Sequence, residues 1–408
     1  MRVRSWAMIV DGRLSTVVVS RDAVEAAHKP EEAHYLVDAV VDYVNAILHV
    51  GVYTRRELPI AAIQAYHADL YLAQINNGGH SQFISNIGAE MLPTTSEDAL
   101  AGLKAMGAVA QHQILQEMMA WVEANPGEAA AQSGFYNCAA TLDALDTRFY
   151  QAERQQPMTP LAARWITGWP ELRPVAREQY TSEIERLAQL YPHLLARRIW
   201  QNVDRIRFQM TDPLQITIAA ACGAVVPDPE LKLAVRAGFH LDVEGQKCMA
   251  FGVGTDKGSR ICVVEDVGGR LYEYEMRSPI PKPEQLTLES LKNFQPPVVG
   301  ARLSVVDADT IRNFSRIAEK NLAAEAIDLL LRKSDLDPAA TITAIRATDE
   351  SATWYAVTGG TRTTVATLGD RAEIAGSGGN ASLTVTRDEI ERHAADAAVG
   401  RDTMQTEM

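Results

Sequence analysis

Aromatic side chains are scarce, at 6% of 408 residues, so Leu, Ile, Val, Ala and Met must supply most of any core. Cysteine is scarcer: Cys138, Cys222, Cys248 and Cys262, with no CxxC pair among them. That spacing suggests neither a zinc site nor a redox dithiol. A chain this long needs no disulfide framework, so free thiols in a reducing cytoplasm are expected. Long apolar runs are also missing, and none approaches the ~18 residues of a membrane span. Met1-Arg2-Val3-Arg4 has the charge of a signal n-region, yet Asp11, Gly12 and Arg13 soon interrupt the apolar stretch that follows. A signal peptide needs about 7–15 uninterrupted apolar residues, so a cytoplasmic protein without a membrane partner is expected. Basic charge is in deficit: 39 Lys and Arg against 52 Asp and Glu give a net −13. That balance argues against direct nucleic-acid binding.

What is present reads as globular. Hydrophobic residues make up 47% and charged ones 22%, enough for ordinary cores. At roughly 150 residues per domain, two or three domains are expected. The acidity is concentrated. Residues 31–146 hold 14 Asp or Glu against Arg55, Arg56 and Lys104, which is 3 − 14 = −11, whereas residues 147–205 hold nine Arg against six acids, net +3.

Residues 5–20 alternate around Asp11-Gly12, a hairpin turn signal, and Ser20 is placed to cap a first helix. From Glu31 the period becomes helical. Leu36, Val40, Tyr43, Ile47 and Val50 form one stripe opposite Asp38, Asp42, Asn45 and His49, and Gly51 ends it. A second helix is expected over about 57–76, with Ile63, Tyr66, Leu70 and Ala73 inward, stopping at Asn76-Asn77-Gly78-Gly79. Ser81 then caps a short helix. Thr95 and Asp98 fit a capping box for a third, continuous to Asn125-Pro126-Gly127. Another carries Leu142, Leu145 and Phe149 inward with Asp143 and Asp146 outward. Pro160 and Pro174 punctuate two further helical pieces, and Pro192 separates the last pair. The fold class expected is multidomain: an N-terminal all-α bundle, then an α+β region with antiparallel β-meanders. The divisions are an arm or hairpin at 1–30, a helical domain at 31–207, and an α+β domain at 208–400 that can split into 208–295 and 296–400. In that region the reading places helices near 213–224, 229–238 and 309–332, and a final one from Arg387 with a frayed tail past Arg401. The β-rich runs are 248–255, 260–267 and 270–277, then 341–348, 353–358, 362–368 and 382–386, with Pro279, Pro281 and Pro283 in a connector. Helix then meander occurs twice, the order a duplication would leave.

The run Tyr66-His67-Ala68-Asp69-Leu70-Tyr71-Leu72-Ala73-Gln74-Ile75-Asn76-Asn77-Gly78-Gly79-His80-Ser81-Gln82-Phe83-Ile84-Ser85-Asn86 resembles the signature of the bacterial DNA-mimic-protein domain family. There a helix ends in Asn-Gly-Gly, followed by an aromatic and then Gln and Asn one turn apart. Ala99-Leu100 through Leu103 with Gly107-Ala108, and Leu142 through Tyr150, agree with it in order and spacing. The resemblance covers residues 31–155 and departs at His80, where an aromatic is usual. It implies a protein partner that binds DNA, occupied by carboxylates arranged like duplex phosphates.

Candidates for such a face are Glu31, Asp38, Asp42, Asp69, Glu97, Asp98, Asp143 and Asp146, with solvated bundle faces as the plain alternative. Asn76, Asn77, Gly78, Gly79, Gln82 and Asn86 read as a helix stop rather than a ligand loop. No histidines stand at i, i+4, and 252–258 lacks the ending of a phosphate loop, so no catalytic, cofactor or metal residues are assigned. The leading reading is a non-enzymatic protein-binding module whose partner is a basic or DNA-binding protein, or a toxin neutralised in the manner of an immunity protein. The other reading is an enzyme or small-molecule sensor with its site at the domain junction or in the C-terminal α+β domain. A homodimer is compatible with both.

Overall fold

The computed structural model describes residues 9–134, 137–275, 298–375 and 382–405. The chain forms two compact units, one ending at Leu194 and the other beginning at Leu195. The first is dominated by helices and the second pairs helices with antiparallel sheets. Among the described residues no helix is long and apolar enough to cross a membrane.

The first unit opens on a hairpin of β1 (Ile9–Val10) and β2 (Arg13–Leu14). Its turn places Asp11 at φ 50° and Gly12 at φ 77°, the left-handed pair that a two-residue hairpin loop requires. Strand β3 (Val17–Ser20) pairs in parallel with β4 (Leu172–Val175), so Pro174 lies in a strand rather than between helices. Ser20 accepts from the Ala23 amide and starts α1 (Arg21–Ala26), as its position suggests. Helix α2 (His34–Val50) buries Leu36, Val40, Tyr43 and Ile47 and leaves Asp38, Asp42 and His49 exposed.

A long run, α3 (Ile60–Met106), follows a Thr54–Glu57 capping box. It is broken at Gly78-Gly79 and at Gly88, where the backbone leaves helical geometry. Its first leg buries Ile63, His67, Ala68, Tyr71 and Ile75; Tyr66 and Leu70 are only half-buried and Ala73 is exposed. The inner stripe therefore sits on a neighbouring register from the one read off the sequence. No cap forms at Thr95, which is buried inside the last leg, because Gly88 and not Thr95 restarts the helix. Gly107, at φ 83°, then ends that leg and separates it from α4 (Val109–Ala124), so the expected continuous helix is two. The unit is completed by α5 (Pro126–Ala130), α6 (Ala140–Gln155), α7 (Met158–Thr167) and α8 (Tyr180–Ala188).

In the second unit α9 (Leu194–Thr211) leads to α10 (Pro213–Gly223), which Asp212 caps by accepting from the Gln215 amide. Helix α10 is buried from Ile216 to Gly223, and such all-round apolarity is what a central helix needs. One sheet runs in order β5 (Lys232–Val243), β6 (Gln246–Thr255), β7 (Gly258–Glu265), β8 (Gly268–Glu275), β9 (Val298–Asp307). Residues 232–238, read as helix because Leu, Lys, Ala and Arg favour one, are strand instead, with two register shifts in their pairing to β6. Next come two helices, α11 (Ala308–Lys320) and α12 (Ala323–Lys333), where a single one was expected; Leu322 at φ 50° divides them. The second sheet is β10 (Thr341–Ala347), β11 (Ala352–Thr358), β12 (Thr361–Thr367), β13 (Arg371–Ile374), β14 (Leu383–Thr386), with β13 too short to have shown in the sequence.

Period-two alternation fixes which face of the second sheet is inside. Ala352, Trp354, Ala356 and Thr358 of β11 point inward, and Trp354 lies opposite Val365 of β12. Both meanders run straight into a helix. Asp307 caps α11 by accepting from Thr310, and Thr386 with Glu389 forms a capping box for α13 (Arg387–Gln405). The segment 401–405, expected to fray, is helical, and buried Arg197 donates to Thr403. The Pro279–Pro283 connector lies outside the described residues.

Helix α10 meets both sheets at close range. Ser304 of β9 donates to the Ala221 carbonyl at 2.6 Å, and Gly223 presses against the backbone of β10. A Cβ at Gly223 would collide with the Ala344 carbonyl oxygen. Gly223→Ala is therefore expected to destabilise the second unit by about 1–3 kcal/mol. A lowered urea midpoint for the full chain is the readout, and an unchanged midpoint would show that the helix shifts without cost.

Candidate functional site

The first leg of α3 ends at Asn77. Gly78 is extended and Gly79 takes φ 74°, so the chain turns and resumes as helix at His80. A Cβ at Gly79 would run into the Asp146 carboxylate, which makes glycine obligatory there on two counts. The turn drives His80 fully inside, at 0% exposure, among the rings of Tyr71 and Phe149. A buried imidazole needs partners at both nitrogens. Nδ1 lies 2.5 Å from Asp146 Oδ1, and Nε2 lies 2.8 Å from the Tyr71 hydroxyl. The His80 amide also donates to Asp146 Oδ1, at 2.9 Å. A ring protonated on Nδ1 satisfies the carboxylate and accepts from the phenol.

Ser81 does not cap the helix that follows. Its hydroxyl donates to the Asn137 carbonyl at 2.8 Å and accepts from the Gly134 amide at 3.0 Å, tying that loop to the break. Gln82 and Asn86 converge on one acceptor, donating to Gln74 Oε1 at 3.1 and 2.7 Å. They bridge the break through a side chain and leave its backbone to other partners.

Beside this network opens a depression of about 450 Å³, lined by Asn76, Asn77, Gly79, Cys138, Asp143 and Asp146 among others. The donor atoms of Cys138, Asp143 and Asp146 all lie within 4.8 Å of one another. Burial, reinforced by a hydrogen bond to Asp143 and the charges of both aspartates, pushes the Cys138 thiol up to about 12. A thiol so raised is not a nucleophile at neutral pH. The sequence carried a signal for this cluster in Cys138-x4-Asp143-x2-Asp146, which no CxxC or histidine spacing would reveal.

The eight candidate acids do not share one face. Glu31, Asp38, Asp42, Glu97 and Asp143 are exposed, and Asp69 is half-buried. Asp98 is tied to Arg55, at 2.7 Å, and to His67, at 2.8 Å. Burial pushes its carboxyl up, but the bonds from His67 and Arg55 hold it below the usual range. Asp146, expected to point outward, is turned in to His80. The reason is its place beside Leu142, Leu145 and Phe149, which completes an i, i+3, i+4, i+7 face.

Asp38 and Asp42 instead line an open groove of about 820 Å³, together with Asp22, Glu32, Tyr35, Arg177 and Tyr180. Asp22, Asp38 and Asp42 have no ion-pair partner among the described residues, and Tyr35 is 53% exposed. The Tyr180 hydroxyl is buried with no hydrogen-bond partner among the described residues.

Residues 56–169 match the DMP19-like protein family. The match takes in the Gly78-Gly79 break, His80 and Asp146, and agrees with the resemblance seen in the signature run. The acidic groove lies outside the matched residues. No curated protein and no solved structure matches the chain.

Two measurements test the electrostatics. His80→Phe fills the same space but strips partners from Asp146 and Tyr71, so a loss of roughly 2–4 kcal/mol is expected. Adding Asp146→Leu should recover part of it, whereas strict additivity would deny the coupling. The second concerns Asp69, whose carboxyl burial and the nearby Asp38 charge raise from 3.8 to about 6. The folded state binds this proton more tightly than the unfolded one, so its stabilising effect is present below about pH 4 and lost as pH rises through 6. Asp69→Asn should flatten that part of the stability–pH curve, and an unaltered curve rules the assignment out.

Proposed function

We propose that the N-terminal unit is a protein-binding module that docks a basic segment of a DNA-binding protein in the groove bounded by α1, α2 and residues 177–181. The observation that carries this is the set of unpaired carboxylates at Asp22, Asp38 and Asp42, facing a single cation, Arg177, across an open groove. Like charges held together without counter-ions raise the local affinity for cations and steer a basic partner to the site. Tyr35 offers an exposed aromatic face for a Lys or Arg side chain.

DNA mimicry, suggested by the family match, is the finer form of this reading. Carboxylates at the groove stand in for phosphates, and duplex DNA competes for the same partner. Binding within the cytoplasm, and without nucleic acid in the complex, belongs to the same proposal.

The test is capture from cell lysate by the full chain, at low and high salt, beside an Asp38→Asn/Asp42→Asn variant. A basic DNA-binding protein should be retained at low salt, released by excess duplex DNA, and lost by the variant. Its affinity for wild type should fall at least about tenfold between 50 and 500 mM salt, since the Debye length shrinks several-fold. Equal retention by wild type and variant would remove the groove from the mechanism.

A further inference from the structure

We infer that Cys138, Asp143 and Asp146 form a binding site for one divalent transition-metal ion, of the zinc class, in the depression beside the Gly78-Gly79 break. The site is independent of the acidic groove and of the function proposed for it. Three donors of mixed type converge from a loop and one face of α6, and their donor atoms lie within 4.8 Å of one another. Around a tetrahedral zinc, one sulfur and two oxygens sit roughly 3.3–3.8 Å apart, so a closure of about 1 Å is enough. Asp143 is exposed and can supply it by a rotamer change.

The surroundings select a cation. Among the described residues no Lys, Arg or His lines the depression, and the C-terminal end of the first α3 leg, at Asn76 and Asn77, borders it. Asp146 is fixed in place. His80, fully buried, and the His80 amide both use Oδ1, which leaves Oδ2 for the depression. A histidine bonded to a ligating carboxylate is the outer-shell support that holds a metal donor in orientation. The thiol selects among cations, because sulfur with carboxylate oxygen suits zinc and its neighbours and not magnesium or calcium. Binding converts Cys138 Sγ–H to a thiolate bonded to the ion and releases one proton to solvent. Three protein donors leave a fourth position open to the depression, as in zinc sites that hold a water or an exchangeable ligand.

The experiment uses the tag-free full chain after chelator treatment. Calorimetry with zinc should show one equivalent bound with proton release, and cobalt should give a thiolate-to-metal charge-transfer band. Cys138→Ser should abolish that band, Asp143→Asn should weaken zinc at least roughly tenfold, and magnesium should give no heat. Circular dichroism of each variant separates lost ligation from lost folding. Zinc binding left intact in both folded variants, or a cobalt spectrum without the band, overturns the site. So does the absence of zinc binding by wild type.

Discussion

The conformation of Gly79 governs the helical unit. At φ 74°, with no side chain, it lets the backbone pass against Asp146 and restart as helix one residue later. His80 is thereby committed to the interior, and a buried imidazole is tolerable only with both nitrogens engaged. Asp146 and Tyr71 meet that demand, which in turn sets the rotation of α6 and draws the Cys138 end of its preceding loop toward the break. Ser81 adds a second tie, to Gly134 and Asn137. The helix stop and the polar core are therefore one structure. His80 makes this point of the core a buried hydrogen-bonded network, and the carboxylate it requires is supplied from α6.

Local chemistry made much of this readable from sequence, and long-range pairing hid the rest. Asp11-Gly12, Ser20, the α2 stripe and the two meanders followed from turn geometry, capping and periodicity, each of which acts within a few residues. Asp146 was misread because a charged residue next to Leu145 suggests an outward face. Its i, i+4 relation to Leu142 and its i, i+3 relation to Phe149 put it on the buried one. Thr95 and Asp98 have the spacing of a capping box, but Asp98 is worth more to Arg55 and His67 than to a local amide. Residues 232–238 have helical propensity that the sheet overrides, since β5 gains pairing along its length with β6. The candidate acids were read from sequence as one face, whereas Asp38 and Asp42 line a concavity with Asp22 and Tyr180, and Asp143 and Asp146 lie beside Cys138.

The second unit solves burial differently. Its centre is an apolar helix, α10, and several buried polar residues around it are engaged by defined partners. Lys232 is buried and donates to Gln215 Oε1 at 2.6 Å, and burial lowers its ammonium to about 8. Asp328, with 0% exposure, takes bonds from Arg332 at 2.7 Å and His393 at 2.6 Å, joining α12 to α13. Glu230 accepts from Thr255 and Arg260. Buried pairs of this kind contribute little net stability, but breaking one leaves an uncompensated charge, so they penalise alternative packings.

Charge in the first unit is sorted by the same rule applied at two depths. Asp98 and Asp146, which turn inward, find a cation or a ring nitrogen, whereas half-buried Asp69 has no such partner among the described residues and its carboxyl is raised instead. Carboxylates at the surface of α1 and α2 have no such obligation, and there Asp22, Asp38 and Asp42 have no counter-ion among the described residues. Unpaired surface acids are individually unremarkable, since water solvates them at little cost. Their collection around one concavity is different, because acids gathered there draw cations to a single place. Asp69, which does not line the groove, is raised mainly by burial and secondarily by the Asp38 charge. A concavity lined by acids without counter-ions among the described residues attracts cationic groups, an effect that weakens as salt screens it.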